Sequence, residues 1–458
     1  MKRLVCAFVI LLVLFVSMSS FAEESPSQPS AGQTTETQAP ASSSPGEKQE
    51  YKFEPSEIEK KPYHIGGYLE LRPILYGLDK EAALYKLKFG DRDEGGTVED
   101  YIGRLWLEGS YEKGIVGLFL KTSLGLAYTY KGWDYQAKIY EGYASLKPSS
   151  SLTIDLGKRV FNWGKGYAWN PVAFVDRPKD PDEPELPREG YIVATADYIK
   201  SFEGLLKTFS VSPILLPVYK NVNDDFGKID HLNFAGKIYF LFYNTDIDLL
   251  FLTGESKTDR FGFDFSRNVT TNLEVHGELA FIKNQQTTTV DSIGNVSVTK
   301  YDATSYLLGL RYLSSMDTTY IIEYYHNGAG FSSSELMGFY SFTDKAFDIY
   351  ESTGNKKQFL KAETLFQGNY GKMNPGKDYL YLRISQKEPF NILYFTPALT
   401  TIMNLDDQSF SISPEFLYTG IKNWEFRLKG MALVGPKGTE FGEKQNDYKI
   451  EFRVRYYF

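Results

Sequence analysis

Arg453 and Arg455 stand two residues apart in the C-terminal run Tyr448 to Phe458 (YKIEFRVRYYF), with Lys449 and Glu451 preceding them at the same spacing. Glu425, Arg427 and Lys429 repeat that spacing in the segment before. Charge at every second position is a strand pattern, because successive strand side chains point to opposite sides. The intervening residues Ile450, Phe452, Val454, Tyr456 and Phe458 are apolar. Rows of guanidinium, ammonium and carboxylate do the chemistry of an aqueous wall: they attract, orient and filter solutes rather than transform them. One face suits water and the other lipid.

The same sorting recurs upstream. Trp424, Phe426, Leu428, Gly430, Ala432 and Val434 oppose Glu425, Arg427 and Lys429, while Leu273, Val275, Gly277, Leu279 and Phe281 oppose Glu274, His276 and Glu278. A lipid-facing Arg or Lys would cost about 2–4 kcal/mol near the midplane, so the register is strongly specified. Eighteen such segments run from His64 to Phe458, with sixteen as the competing count. Their connections alternate in length. Short ones include 112–114, 147–150, 244–245, 314–317 and 421–422; long ones include 77–100, 161–189, 218–229, 285–300, 329–376 and 435–447. The expected fold is all-β: a transmembrane antiparallel β-barrel of the Gram-negative cell outer membrane, with short periplasmic turns, long external loops and both termini periplasmic.

Composition agrees. The 34 Tyr and 33 Phe accompany a mean hydropathy below zero, as a wall with aromatic girdles and a wet lumen requires. Beyond the N-terminus no apolar run approaches the ~20 residues of a helical span. Lys2 and Arg3, the apolar stretch Leu4 to Val16, and Ser20 and Ala22 predict a signal peptide over 1–22. Cys6 leaves with it, and a mature chain without cysteine has neither disulfides nor thiolate metal sites. Losing Lys2 and Arg3 takes the net charge from −8 to −10, which disfavours nucleic acid as a partner. His64, His231, His276 and His326 lack ligand spacing, so no metal or cofactor is expected. Residues 23–62, rich in Ser, Pro, Gln, Thr and Glu, read as a disordered periplasmic tail too short for a plug, which leaves 63–458 as the barrel.

Closing the sheet brings the last strand beside the first. Arg72, Arg104, Lys121, Arg427, Lys429, Arg453 and Arg455 then form a basic arc against Glu70, Glu108, Glu425 and Glu451. Asp248, Asp264, Glu274, Glu278 and Glu323, against Arg311, form an acidic one. Facing arcs of opposite sign would set a transverse field across the lumen; alternatively, these groups pair with neighbours and keep the lumen wet.

The loop Phe161 to Glu189 is the most distinctive connection. Trp163, Gly164 and Gly166 open it, Asn170-Pro171 come next, and a Pro-rich acidic stretch completes it. Glycines there permit tight backbone, and the prolines stiffen the acidic stretch. Folded inward, the loop would narrow the channel and turn Asp176, Asp180, Asp182, Glu183 and Glu185 towards solute. In 329–376 a strand pattern fails; Ser332 to Glu335 reads as a helix start, ahead of Leu336, Phe339, Phe342 and Phe347.

The segment Leu156 to Pro171, with its Gly-Lys-Arg-Val-Phe-Asn-Trp-Gly-Lys-Gly run and Asn-Pro, resembles the porin-like outer-membrane proteins of proteobacteria, among them the alginate-export-like and related porin groups. The terminal Phe458 supports the likeness. The resemblance implies that the loop is a pore eyelet and that the last strand is read by the barrel-assembly machinery.

The function expected from these features is passive, selective diffusion of small hydrophilic or charged solutes, without catalytic residues. Two alternatives stay open: a transporter of hydrophobic compounds, and a lipid hydrolase using His326 with Ser332 to Ser334. Outer-membrane lipid is the expected surrounding, and association of three barrels is open, although no strand is visibly specialised for it.

Overall fold

The computed structural model of the protein describes residues 61–90, 92 and 94–458. The expected signal peptide lies outside the described residues, as does the expected tail up to residue 60.

Among the described residues, eighteen strands form one antiparallel sheet closed on itself. They are β1 (Tyr63–Leu78), β2 (Thr97–Lys113), β3 (Val116–Thr129), β4 (Gly132–Ser149), β5 (Leu152–Arg159), β6 (Tyr191–Ser201), β7 (Leu206–Val218), β8 (His231–Phe242) and β9 (Thr245–Thr253). The other half comprises β10 (Arg260–Asn268), β11 (Leu273–Val290), β12 (Val296–Leu313), β13 (Thr318–His326), β14 (Asp378–Gln386), β15 (Phe395–Asn404), β16 (Phe410–Tyr418), β17 (Trp424–Val434) and β18 (Asn446–Tyr457). Each strand pairs with its sequence neighbours, and β18 closes on β1 with Tyr68 opposite Tyr457 and Leu71 opposite Val454. Closure leaves no sheet edge, the condition for strands to cross hydrocarbon.

The alternation lands as the sequence demands. Leu428, Ile450 and Phe452 are exposed on the outside, whereas their neighbours Lys429, Glu451 and Arg453 are buried within. Tyr111, Tyr198, Tyr243 and Tyr418 stand exposed near the short-turn ends, and Tyr101, Tyr128, Trp133 and Phe261 near the long-loop ends. Two aromatic girdles thus bracket an apolar belt. The short end is held by tight turns. Between β8 and β9, Tyr243 and Asn244 take φ of 50° and 56°, the left-handed pair that matches hairpin twist.

Three connections differ from the sequence expectation. The segment 285–300 is a tall hairpin rather than a loop: β11 continues to Val290 and β12 begins at Val296. Its five-residue turn is organised by Asp291, whose Oδ1 accepts from Ile293 N and Asn295 N. Thr287, Thr288, Val290, Val296 and Val298 are β-branched and continue the ladder even where polarity hides the alternation. Within 77–100 sits a short helix, α1 (Ala83–Phe89). In 329–376 the expected short helix is α2 (Ser333–Thr353), 21 residues long and started by a Ser332/Glu335 capping box, and α3 (Lys357–Leu365) comes after it. All three helices share an apolar cluster that includes Leu84, Phe339, Phe342 and Ala362. Lys86 to Asp344 (2.7 Å) ties α1 to α2, and the latter rests on the tall hairpin, where Lys345 donates to Ser292 O.

Candidate functional site

The connection between β5 and β6 folds into the barrel. Its entry is shaped by Asp176, whose two oxygens accept from Phe161 N (2.8 Å) and Trp163 N (2.9 Å), drawing the chain into a closed turn. Beyond it the backbone lies directly on the acidic arc. Glu278 Oε1 accepts from Lys165 N (2.7 Å), Gly166 N (2.6 Å) and Asn170 Nδ2 (2.9 Å), and its Oε2 from Val172 N (3.3 Å). Such an approach needs the two glycines. A Cβ on Gly164, at φ 94°, would fall 2.7 Å from Glu278 Oε1, and one on Gly166 would fall 2.1 Å from Trp169 O.

Glu323 on β13, fully buried, repeats the arrangement by accepting from Tyr167 N and from Ala168 N (2.9 Å), while His276 Nε2 lies 2.9 Å from its Oε1. Lys165 Nζ reaches Asp248 (2.8 Å) and Asp264 (3.7 Å). Burial works to lower the Lys165 ammonium, but Asp264 and Asp248 outweigh it and raise it. Glu278 and Glu323 are buried carboxylates satisfied by hydrogen bonds from the loop's backbone N–H groups, the condition under which burying a charge is tolerable.

Apolar packing holds the loop along the same side. Trp163, Val172, Phe174 and Val175 sit against Ile214, Leu216 and Val218 of β7 and Leu250 and Leu252 of β9. Ala168 and Trp169 meet Leu307, Tyr379 and Tyr381 of β12 and β14. These inward apolar residues are absent from the sequence expectation, although a signal for them exists. β7 (PILLPV) and the run LLFL of β9 are apolar on both faces where a wet wall would alternate, the mark of a strand covered on both sides.

The far end of the loop crosses to the basic arc. Glu183 accepts two hydrogen bonds from Arg453 Nη2 (2.8 and 2.7 Å) and lies 3.8 Å from Arg427 and 3.9 Å from Arg72. Lys429 Nζ donates to Asp182 O (2.6 Å). Burial alone would raise the Glu183 carboxyl; Arg453, then Arg427 and Lys429, overcome it and hold it at about 2. Arg455 pairs with Glu70 (2.7 Å) and Glu425 (3.3 Å), and Arg104 lies 3.8 Å from Glu70. Glu274 accepts from Ser266 Oγ (2.9 Å).

The two arcs therefore grip the loop instead of facing each other across open water. The sequence expectation turns Asp176, Asp180, Asp182, Glu183 and Glu185 towards solute. In the structure Asp176 caps the loop's own entry, Asp180 accepts from Asp182 N (2.9 Å), and Glu183 is latched to the wall. Only Glu185 of the five lines the remaining cavity. Burial, then Asp182, raises the Asp180 carboxyl. The other site suggestion is also dispersed among local partners: His326 Nδ1 lies 2.8 Å from Asp378, and Ser332 caps α2.

The loop leaves open a cavity of about 540 Å³ along β1 to β4. Its wall carries Tyr68, Trp106, Glu108, Lys121, Tyr140 and Glu141; its other side is the loop edge from Pro184 to Arg188. A β-bulge shapes this wall. Lys121 pairs with Glu141 and Thr122 with Ile139, leaving Tyr140 as the extra residue, so both Tyr140 and Glu141 reach the cavity. Lys121 Nζ meets Glu141 at 2.7 Å, and the Lys121 side chain is 46% exposed, unlike the loop-covered charges opposite.

No protein-family model matches the chain, and no curated protein does. Among solved structures it is similar to Pseudomonas aeruginosa OccK5 (OpdH), at 12% identity over 86% of this chain and 98% of that one, with a TM-score of 0.49. It is also similar to the outer membrane protein OprD from Pseudomonas aeruginosa (11% identity, 86% and 94% covered, TM-score 0.48). A third is Pseudomonas aeruginosa OccK2 (OpdF), solved in complex with glucuronate (11% identity, 86% and 96% covered, TM-score 0.47).

Proposed function

We propose that the protein is a porin-like channel of the Gram-negative outer membrane, through which small hydrophilic solutes diffuse passively and selectively. The observation that carries this is the inward loop: it is pinned to the acidic arc through Glu278 and Glu323 and to the basic arc through Glu183, and it leaves a cavity along β1 to β4. A loop so tied sets the width of a channel without moving. No step of the proposed transport needs a nucleophile or an energy source.

The connections support an orientation in which the long loops and the helical cluster face outward and the short turns, with the described chain ends near Tyr63 and Tyr457, face the periplasm. The last strand, ending next to Phe458, is the segment the assembly machinery would read. The alginate-export-like resemblance rests on Leu156 to Pro171, whose Gly164 and Gly166 are the residues that let the loop dock. A path for hydrophobic compounds finds less support, because the apolar inner faces of β7 and β9 are occupied by Val172, Phe174 and Val175.

The test is planar-bilayer recording of the purified protein, with solute-driven swelling of reconstituted liposomes beside it. Steady ion conductance and swelling with small polar solutes are expected. An electrically silent barrel that leaves liposomes tight would refute the channel.

A further inference from the structure

The cavity beside the loop is lined in a way that the two charged arcs do not explain. Four aromatic side chains from β18, β1, β2 and β4 form a row along its wall. Tyr457 and Tyr68 have ring centroids 5.5 Å apart, Tyr68 stacks on Trp106 at 5.9 Å with planes 7° apart, and Trp106 meets Tyr140 edge-on at 4.7 Å. Tyr68 and Trp106 are buried in this row, and Arg455 covers the Tyr68 ring at 4.7 Å. Tyr457, exposed, and Tyr140, lifted inward by the bulge, are the rings that the cavity can use. Across the cavity stand Pro184, Leu186 and Pro187 of the loop. The space is a slot between an aromatic wall and an aliphatic edge.

Its charges balance. Glu108, Glu141 and Glu185 stand against Lys121, Lys179 and Arg188. Most already have partners: Lys121 with Glu141 at 2.7 Å, Glu185 with Tyr167 Oη at 3.0 Å, Lys179 with Gly166 O at 2.7 Å, and Arg188 with Asn162 Oδ1 at 2.7 Å. A solute with net charge of either sign gains little from a set that sums to zero. A ring that offers aliphatic C–H faces to the aromatic and proline surfaces, and hydroxyls at its edge to carboxylate and ammonium groups, satisfies every part of the lining. The volume, about 540 Å³, falls among the roughly 300–1,000 Å³ of small-molecule sites.

We propose that this slot is a binding subsite for an uncharged, hydroxylated ring, a carbohydrate of monosaccharide size, on Tyr140 and Tyr457. The inference rests on the channel reading and names its solute class. Permeation then runs along the β1 to β4 wall, off the barrel axis.

D-glucose titrated into the bilayer chamber against the parent protein should block the KCl current saturably. Tyr140→Ala and Tyr457→Ala should raise the half-blocking concentration by roughly 3- to 10-fold, the scale of one lost aromatic contact. Tyr140→Phe, which keeps the ring, should block like the parent, and so should Tyr135→Ala, whose ring is exposed on the outer face. A parent that conducts but is not blocked by glucose overturns the subsite and leaves the channel standing. So does saturable block by glutamate or lysine at lower concentrations than glucose, or block unchanged in both alanine variants that still conduct. A silent parent removes both.

Discussion

Glu183 and Arg453, 270 positions apart in sequence, meet through two hydrogen bonds inside the barrel, and through them the tip of the inward loop is fastened to the last strand. Arg453 also donates to Glu451 at 2.7 Å, so its guanidinium bridges loop and wall.

Glu183→Gln removes the charge while keeping the shape. Breaking one side of a buried pair costs on the order of 3 kcal/mol, here spent on the loop rather than on the sheet ladder. Single-channel recording should show a larger and noisier conductance, with the barrel's thermal unfolding shifted little. Conductance indistinguishable from the parent would mean that the latch does not limit the passage.

Acid should undo the same contact. The Glu183 carboxyl is held at about 2 against an ordinary value of 4.5, so its stabilisation is fully present above the ordinary value and fades as pH falls towards 2. Conductance of the parent should stay level from neutral pH down to the ordinary carboxyl value and rise below it, and Glu183→Gln should lack that rise. A pH profile shared by both proteins counts against the assignment.

Gly166→Ala places a methyl 2.1 Å from Trp169 O, and backbone cannot yield cheaply. The loop should detach from Glu278, a loss of about 2 kcal/mol or more for a buried carboxylate stripped of its donors. Limited proteolysis in detergent should then cut within 160–190, a segment that should resist cleavage in the parent.

Lys121→Glu puts a third carboxylate beside Glu108 and Glu141 on the open wall. Reversal potentials in a KCl gradient should shift towards cation selectivity. The matched change Lys237→Glu, on the β8 wall near Asp248, should move them less, since Lys237 lies outside the cavity lining.

On the outer face, Leu428→Arg sets a charge in the middle of β17, where lipid-facing Arg costs about 2–4 kcal/mol. Folding yield into liposomes should fall and the urea midpoint should drop, whereas Leu428→Ile should leave both near the parent.

Much of this architecture is legible in the residues. Charge and apolarity alternate cleanly in Trp424 to Val434 and Leu273 to Phe281, and the outer belt follows from that alone. Gly164 and Gly166 single out the inward loop, because glycine permits the tight backbone that brings it against Glu278. The destinations of the loop's carboxylates are not legible. Glu183 finds Arg453 only after the sheet closes, and nothing local to the Asp-Pro-Asp-Glu stretch distinguishes it from Asp180 or Asp182. The bulge at Tyr140 is hidden for the same reason, since an extra residue is visible only against its partner strand. The tall β11–β12 hairpin escapes notice because threonine serves a ladder as well as valine does, yet reads as loop.

The seam between β1 and β18 joins the first of the described strands to the last of them. Until β18 is in place, Tyr63 to Leu78 lacks one of its two neighbours, and each unfinished sheet offers a bare edge to whatever strand it meets. A wall that closes only when β18 (Asn446–Tyr457) meets β1 depends on that one strand, and its deletion should turn a closed barrel into an aggregate.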